Sequence, residues 1–227
     1  MSKTPANDDA SANLWLGSPE AGQLFDAANL NDVDRERLAG LNGERRRREF
    51  AVSRALRHAT LGDSSDPSSL SHSGGWAAVA RAPAGCQVGV DLEFHRPRNL
   101  LGIARFAFDP AEIAMLESLA GLQQQEAFYA LWTMKESMAK ALGLPLLVAS
   151  RQCIFLSSAP ADATAWRGVA PTDRPWLIRV FRPRARMALC VAVIGHADPD
   201  SVATWEWPPR RSSDWPTVAT IRGGNDP

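Results

Sequence analysis

The apolar positions of the chain change period several times, and the changes mark its elements. Asn31 to Gly40 predicts a short helix, capped by Asn31 or Asp32 and stopped by Gly40. Glu44 to Leu61 predicts a longer one, where Phe50, Ala51, Leu56 and Ala59 recur among arginines. Gly62 to Gly75 is a polar Ser/Asp/Pro/Gly stretch and reads as a loop. Trp76 to Arg81 and Gln87 to Phe94 read as strands joined by an Ala-Pro-Ala-Gly turn. Asp109-Pro110-Ala111-Glu112 is a helix start, with Asp as N-cap, Pro at the first helical position and Glu at the third. Gly121 breaks that helix. Gln123 to Leu142 predicts the longest helix, ended by Gly143 and Pro145. Cys153 to Leu156, Trp176 to Phe181 and Met187 to Ile194 predict three strands, the last two paired through the turn Arg182-Pro183-Arg184-Ala185. Residues 1–12 read as a flexible leader, and 205–227, rich in Pro, Arg, Ser and Gly, as a flexible tail.

Helices followed by strands occur twice in this order. That implies an α+β protein of two similar halves, 13–96 and 97–204, each with helices packed on a small antiparallel sheet. No residue-level repeat accompanies the twofold order. At 227 residues the chain suits one large or two small domains. Lys plus Arg and Asp plus Glu are both 25, so there is no basic surplus to favour nucleic acid. The longest nearly apolar run, Met187 to Gly195, is far shorter than the ~20 residues of a membrane span, and the N-terminus has no signal-like apolar stretch. Cys86, Cys153 and Cys190 are too scattered for a disulfide framework or a zinc site, which suggests a reducing cytoplasm.

Four segments carry candidate chemistry. On the strand at 87–94, Val88, Val90, Leu92 and Phe94 share one face, and Gly89, Asp91 and Glu93 the other. Two carboxylates on one face can converge on a hard cation such as Mg²⁺ or Mn²⁺; a solvated outer face of an edge strand fits the same spacing. On the long helix, Trp132, Glu136 and Lys140 stand in one row. An ordinary Glu–Lys surface pair would show this spacing too. The apolar residues around the row nevertheless imply partly buried charges that need partners. Ser71-His72-Ser73-Gly74-Gly75 places an imidazole among hydroxyls and glycines, suited to a phosphate or to a plain exposed turn. Arg45 to Arg48, with Arg54 and Arg57, form either a phosphate grip or a solvated face.

In this order the segments resemble the 4′-phosphopantetheinyl transferases of the Sfp type. Ser71-His72-Ser73 is similar to the family's Ser-His-Ser turn, and Gly89-Val90-Asp91-Leu92-Glu93 to its Gly-(Val/Ile)-Asp-x-Glu strand. Trp132-Thr133-Met134-Lys135-Glu136-Ser137-Met138-Ala139-Lys140 is similar to its Trp-x-x-Lys-Glu-(Ser/Ala)-x-x-Lys helix, and Arg48 to Arg57 to its arginine helix. The likeness runs from about Asp34 to Ile194. One departure is plain: the family's Gly-Lys-Pro segment has no counterpart between Arg57 and Ser71.

The resemblance implies an active site between the halves of a cytoplasmic, monomeric transferase. Its reaction would move phosphopantetheine from coenzyme A to a serine of an apo-acyl or peptidyl carrier protein, releasing adenosine 3′,5′-bisphosphate. The setting would be fatty-acid, polyketide or nonribosomal peptide synthesis. It implies Mg²⁺, or Mn²⁺, held by Asp91, Glu93 and Glu136, with Glu136, Lys140 and His72 as catalytic residues. Arg48, Ser71, His72, Lys135 and Lys140 would bind coenzyme A, Arg48 through the 3′-phosphate. Neither nucleic acid nor a membrane is implied as a partner. A catalytically weakened coenzyme A-binding relative is the alternative. With the lysine segment missing, weaker and more salt-dependent binding of coenzyme A is expected, with Arg54, Arg57 and Arg81 the nearest substitutes.

Overall fold

A computed structural model describes residues 11–195, 202–208 and 211–224. Among these the chain runs β1 (Ala12–Gly17), α1 (Asp32–Ala39), α2 (Glu44–Leu61), β2 (Ser68–Ser73), β3 (Trp76–Arg81), β4 (Gln87–Phe94) and α3 (Leu100–Ala107). It continues through α4 (Pro110–Glu117), α5 (Gly121–Leu142), α6 (Leu146–Gln152), β5 (Ile154–Ser157), β6 (Trp166–Val169), β7 (Trp176–Phe181), β8 (Met187–Ile194), β9 (Val202–Trp207), β10 (Arg211–Ser212) and β11 (Thr217–Gly223). The expected α+β class with two layered halves holds. One sheet has the order β10-β9-β1-β3-β2 and the second β11-β7-β8-β4.

Three apolar layers organise these elements. Leu14, Leu16, Ala78 and Ala80 of the first sheet face Val88, Val90, Leu92, Leu189 and Val191 of the second. Behind the first sheet, Val52 and Leu56 of α2 pack on Trp15, Ala77 and Val79. Behind the second, α5 packs on Ile178, Val180, Cys190 and Ala192 through Phe128, Tyr129, Met134 and Met138, and α3 and α4 pack against α5 in turn. The result is helix, sheet, sheet, helix. β8 alternates its side chains between the layer behind the second sheet and the layer between the sheets, which is why it is apolar at every position.

The helix signals translate directly. Asn31 accepts from the Asp34 amide at the start of α1, and Asp109 and Glu112 form a reciprocal capping box on α4. Gly143 closes α5 in the left-handed conformation.

Several expectations change. Ser71 to Ser73 lie on β2 and not in a loop, and only Gly74 and Gly75, both at positive φ, make the turn. β3 and β4 follow one another but belong to different sheets, because the Ala82–Gly85 turn carries the chain from one layer to the next. Both sheets draw strands from either side of the boundary expected near residue 96. β9 pairs parallel with β1, so the first sheet is mixed and not purely antiparallel. The leader expected over residues 1–12 ends earlier, since Ala12 already pairs with Val202; residues 1–10 lie outside the described ones.

The flexible tail expected over 205–227 is also corrected within the described residues. β11 extends the second sheet beside β7, and Trp205 and Trp207 belong to β9. Composition hid these strands because prolines separate them. Glu206 on β9 holds the layers together: it pairs with Arg184 of the β7–β8 turn at 2.8 Å, with Arg211, and with the Trp215 indole N–H. The hydrogen bond from Arg184, with help from Arg211 and Trp215, holds its pKa at about 2 against an ordinary 4.5. The folded carboxyl therefore takes up its proton near pH 2, the unfolded one near 4.5. The stabilisation is complete above pH 4.5 and is lost as pH falls from 4.5 to about 2. In thermal melts Glu206→Gln is expected to lower the melting temperature at pH 7 and to match the wild type near pH 2.

Candidate functional site

The edge strands β2 and β4 of the two sheets run beside each other. Serine hydroxyls stitch them where no backbone ladder forms. The amides of Val90, Leu92 and Phe94 donate to Ser69, Ser71 and Ser73 at 3.1, 3.2 and 3.4 Å. Two of these hydroxyls then donate onward, Ser71 to Asp91 Oδ1 at 2.9 Å and Ser73 to Glu93 Oε2 at 3.2 Å. An accepted amide proton on one side fixes each hydroxyl's own proton toward the carboxylate. The alternation Ser69, Ser71, Ser73 is thus the positioning device for Asp91 and Glu93. Ser69 and Ser73 were absent from the expected site, although their period of two was visible in the sequence.

α5 lies across the face of β4 that carries Gly89, Asp91 and Glu93. Gly89 permits this: a Cβ there would sit 1.9 Å from Ser137 O and 2.7 Å from Ala141 N. Ser137 Oγ donates to Cys190 O at 3.0 Å, tying the helix to β8. The row expected on α5 then faces the strand. Lys140 Nζ donates to Asp91 Oδ1 at 2.9 Å and to Val90 O at 2.8 Å. Asp91 is 5% exposed, so the plain solvated-edge reading of its face fails. Its second oxygen, Oδ2, is buried with no hydrogen-bond partner among the described residues. Burial, then the charge of Asp91, raises the pKa of both Glu93 and Glu136, and Glu93 also raises Glu136. The three carboxylates therefore share one field.

A cavity of about 450 Å³ adjoins this cluster, lined by Arg37, Arg54 and Arg57, by Ser69 to His72 and by Lys140. His72 is exposed to it. The atoms packed round its ring still lower its pKa by desolvation; Glu49 opposes this, and Arg54, Arg37 and Lys140 add to it. Arg54 is fixed by Asp34 at 2.6 Å and lies over the Phe50 ring, whereas Arg57 is 3.5 Å from Asp34 with its side chain half exposed.

Not every expected residue joins this cluster. Arg48 pairs with Glu44 at 3.2 Å and lines a separate cavity of about 710 Å³ with Arg45, Arg96, Gly74 and Gly75. Arg81 pairs with Asp66 at 3.6 Å and does not line the His72 cavity. Arg37, missed in the sequence because α1 has little apolar pattern, does line it.

Lys135 requires a correction. It is fully buried on the far side of α5, with its ammonium on Glu112 at 2.8 Å, Ser150 O at 2.6 Å and Cys153 O at 2.7 Å. All three of its protons are committed, so it cannot touch a ligand in the cleft. Helical geometry turns it about 100° from Glu136, away from the row.

The carboxylates match a hard cation in donor type, and the orphaned Oδ2 of Asp91 is a ligand atom without a protein partner. Among the described residues, however, no three His, Cys, Asp or Glu side chains are gathered closely enough to form a finished metal cage.

Residues 87–190 match the family model of the 4′-phosphopantetheinyl transferase superfamily. The chain is 41% identical over 110 residues to the 4′-phosphopantetheinyl transferase HetI of a Nostoc species, covering 48% of this chain and 44% of that one. It is 30% identical over 141 residues to the 4′-phosphopantetheinyl transferase psf-1 of Bacillus pumilus, covering 60% and 58%. It is 40% identical over 83 residues to a 4′-phosphopantetheinyl transferase of Bacillus subtilis, covering 34% and 35%. The aligned part is thus less than two thirds of each relative. The match thus spans the carboxylate strand, the Glu136–Lys140 helix and the start of β8, and over that stretch the chain is similar to the 4′-phosphopantetheinyl transferase superfamily.

Proposed function

We propose that the protein transfers 4′-phosphopantetheine from coenzyme A to a serine of an apo-carrier protein. The observation that carries this reading is Asp91: buried, held by Ser71 and Lys140, with one oxygen unpartnered, beside an arginine-lined cavity. A carboxylate cluster next to a cationic cavity suits a pyrophosphate bridged to the protein by a cation. Asp91, Glu93 and Glu136 would hold Mg²⁺ or Mn²⁺, which would neutralise pyrophosphate charge. Among the described residues no helix is long and apolar enough to cross a membrane, and Cys86, Cys153 and Cys190 are free and buried.

The chain's own residues then divide the work. Lys140 sits between Asp91 and the cavity, where its ammonium can hold a phosphate oxygen. His72, Arg37 and Arg57 face the same cavity and offer further donors. The carrier serine Oγ bonds to the pantetheine-side phosphorus while the bond to the departing phosphate breaks, releasing adenosine 3′,5′-bisphosphate. Glu136, whose pKa is raised by burial and by Asp91, takes the serine proton.

The arginine cavity also answers the missing lysine segment. Only residues 62–67 separate α2 from β2, and Arg54 and Arg57 at the end of α2 stand where cations are needed. We expect Arg57→Ala and His72→Ala each to weaken coenzyme A roughly tenfold to a hundredfold, as lost charge-assisted hydrogen bonds do. Arg48→Ala, in the other cavity, is expected to change it less than about twofold. Calorimetric titration at several salt concentrations measures this, with affinity falling as salt rises. Tight, salt-insensitive binding that ignores His72 and Arg57 would contradict the placement of the anion in this cavity.

A further inference from the structure

The buried ion pair behind α5 is not part of the cleft, yet its geometry bears on the cleft. Glu112 is wholly buried and saturated. Its Oε1 accepts from the Phe155 amide at 2.8 Å, and its Oε2 from the Asp109 amide at 2.9 Å and from Lys135 at 2.8 Å. Lys135 also caps two carbonyls at the end of α6, those of Ser150 and Cys153, and lies over the rings of Phe108 and Phe155. One ammonium therefore joins α4, α5, α6 and β5.

The opposite side of α5 is pinned as well. Ser137 is two residues from Lys135, about 200° round the helix. It bonds to β8, and its backbone presses on Gly89. Glu136 lies between the two pins, and Lys140 stands in its row, one turn on. A helix held from two opposed sides has neither rotation nor slide left to it. Glu136 and Lys140 can meet Asp91 only in that setting.

We propose that Lys135 is a positioning residue: its buried contacts with Glu112, Ser150 and Cys153 set the rotation of α5 and so aim Glu136 and Lys140 at the carboxylate strand. This rests on the transferase reading for its kinetic test only. Removing Lys135 alone strands Glu112 as a buried charge, so Lys135→Met is expected to unfold part of the chain. Replacing both partners, as Lys135→Met with Glu112→Gln, removes the stranded charge and restores a stable fold. In that double variant kcat is expected to remain at least tenfold below the wild type, with KM for coenzyme A changed much less, because every residue lining the anion cavity except Lys140 comes from elements other than α5. A purely structural Lys135 would instead let kcat recover together with the melting temperature, and that result overturns the proposal.

A second readout is independent of turnover. The side-chain carboxyl ¹³C shifts of Asp91, Glu93 and Glu136 sense one another's charge, and they are expected to move in the folded double variant. If the wild type transfers nothing to any carrier, it is the functional reading that fails, and these shifts alone decide the positioning role. Unchanged shifts overturn it.

Discussion

Asp91→Ala is expected to remove transfer while leaving the fold in place. Asp91 is the point where the serine ladder of β2, the ammonium of Lys140 and the orphaned oxygen meet. Its loss takes the proposed cation's most buried ligand and the partner that holds Lys140. Losing one such electrostatic element costs on the order of a thousandfold in turnover. The fold is affected far less. Asp91 crowds Glu93 and Glu136, raising both, so its removal relieves repulsion while it loses two hydrogen bonds. Steady-state transfer assays beside thermal melts check this: turnover near background with a melting temperature within a few degrees of the wild type. Undiminished turnover in Mg²⁺ would remove the metal assignment.

Gly89→Ala is expected to be as severe by another route. The added methyl would meet the Ser137 carbonyl oxygen at 1.9 Å, with Ser137 C at 2.9 Å and Ala141 N at 2.7 Å, all backbone atoms of α5. Side chains can turn aside from a new methyl, but a helix axis must shift bodily. The cost belongs at the top of the range for overpacking, about 3 kcal/mol. For a chain of this size that lowers the melting temperature by roughly 10 °C. The displaced helix would also carry Lys140 away from Asp91. Melting and turnover are therefore expected to fall together, unlike in Asp91→Ala. A stable, active Gly89→Ala would mean that α5 and β4 are not in the close contact described.

The parts of this molecule visible in the sequence are those set by local rules. The bounds of α2, β3, β4, β7 and β8 follow from apolar period and from glycine or proline stops, and the capping box at Asp109 and Glu112 reads directly. The face carrying Asp91 and Glu93, and the row of Glu136 and Lys140, follow from strand and helix periods. What failed depended on distant partners. β2 looked like a loop because its serines find their partners in another sheet, on the amides of β4. β9 and β11 looked like a tail because their partners, β1 and β7, lie elsewhere in the chain. Lys135 entered the expected site through the family motif that it shares with Glu136 and Lys140, and its place in the helix turns it a quarter-turn or more away from both. Arg37 carried no local signal; only the cavity that it shares with His72 and Lys140 marks it.

The central claim is that this cluster moves a phosphopantetheine group. Its most direct test is intact-mass spectrometry of apo-carrier proteins incubated with the purified chain, coenzyme A and Mg²⁺. The expected result is a mass gain of one phosphopantetheine group on the carrier serine, dependent on the divalent ion and absent with Asp91→Ala. An unmodified carrier across acyl and peptidyl types, from a folded chain that binds coenzyme A, would contradict it and leave a coenzyme A-binding protein without transferase activity.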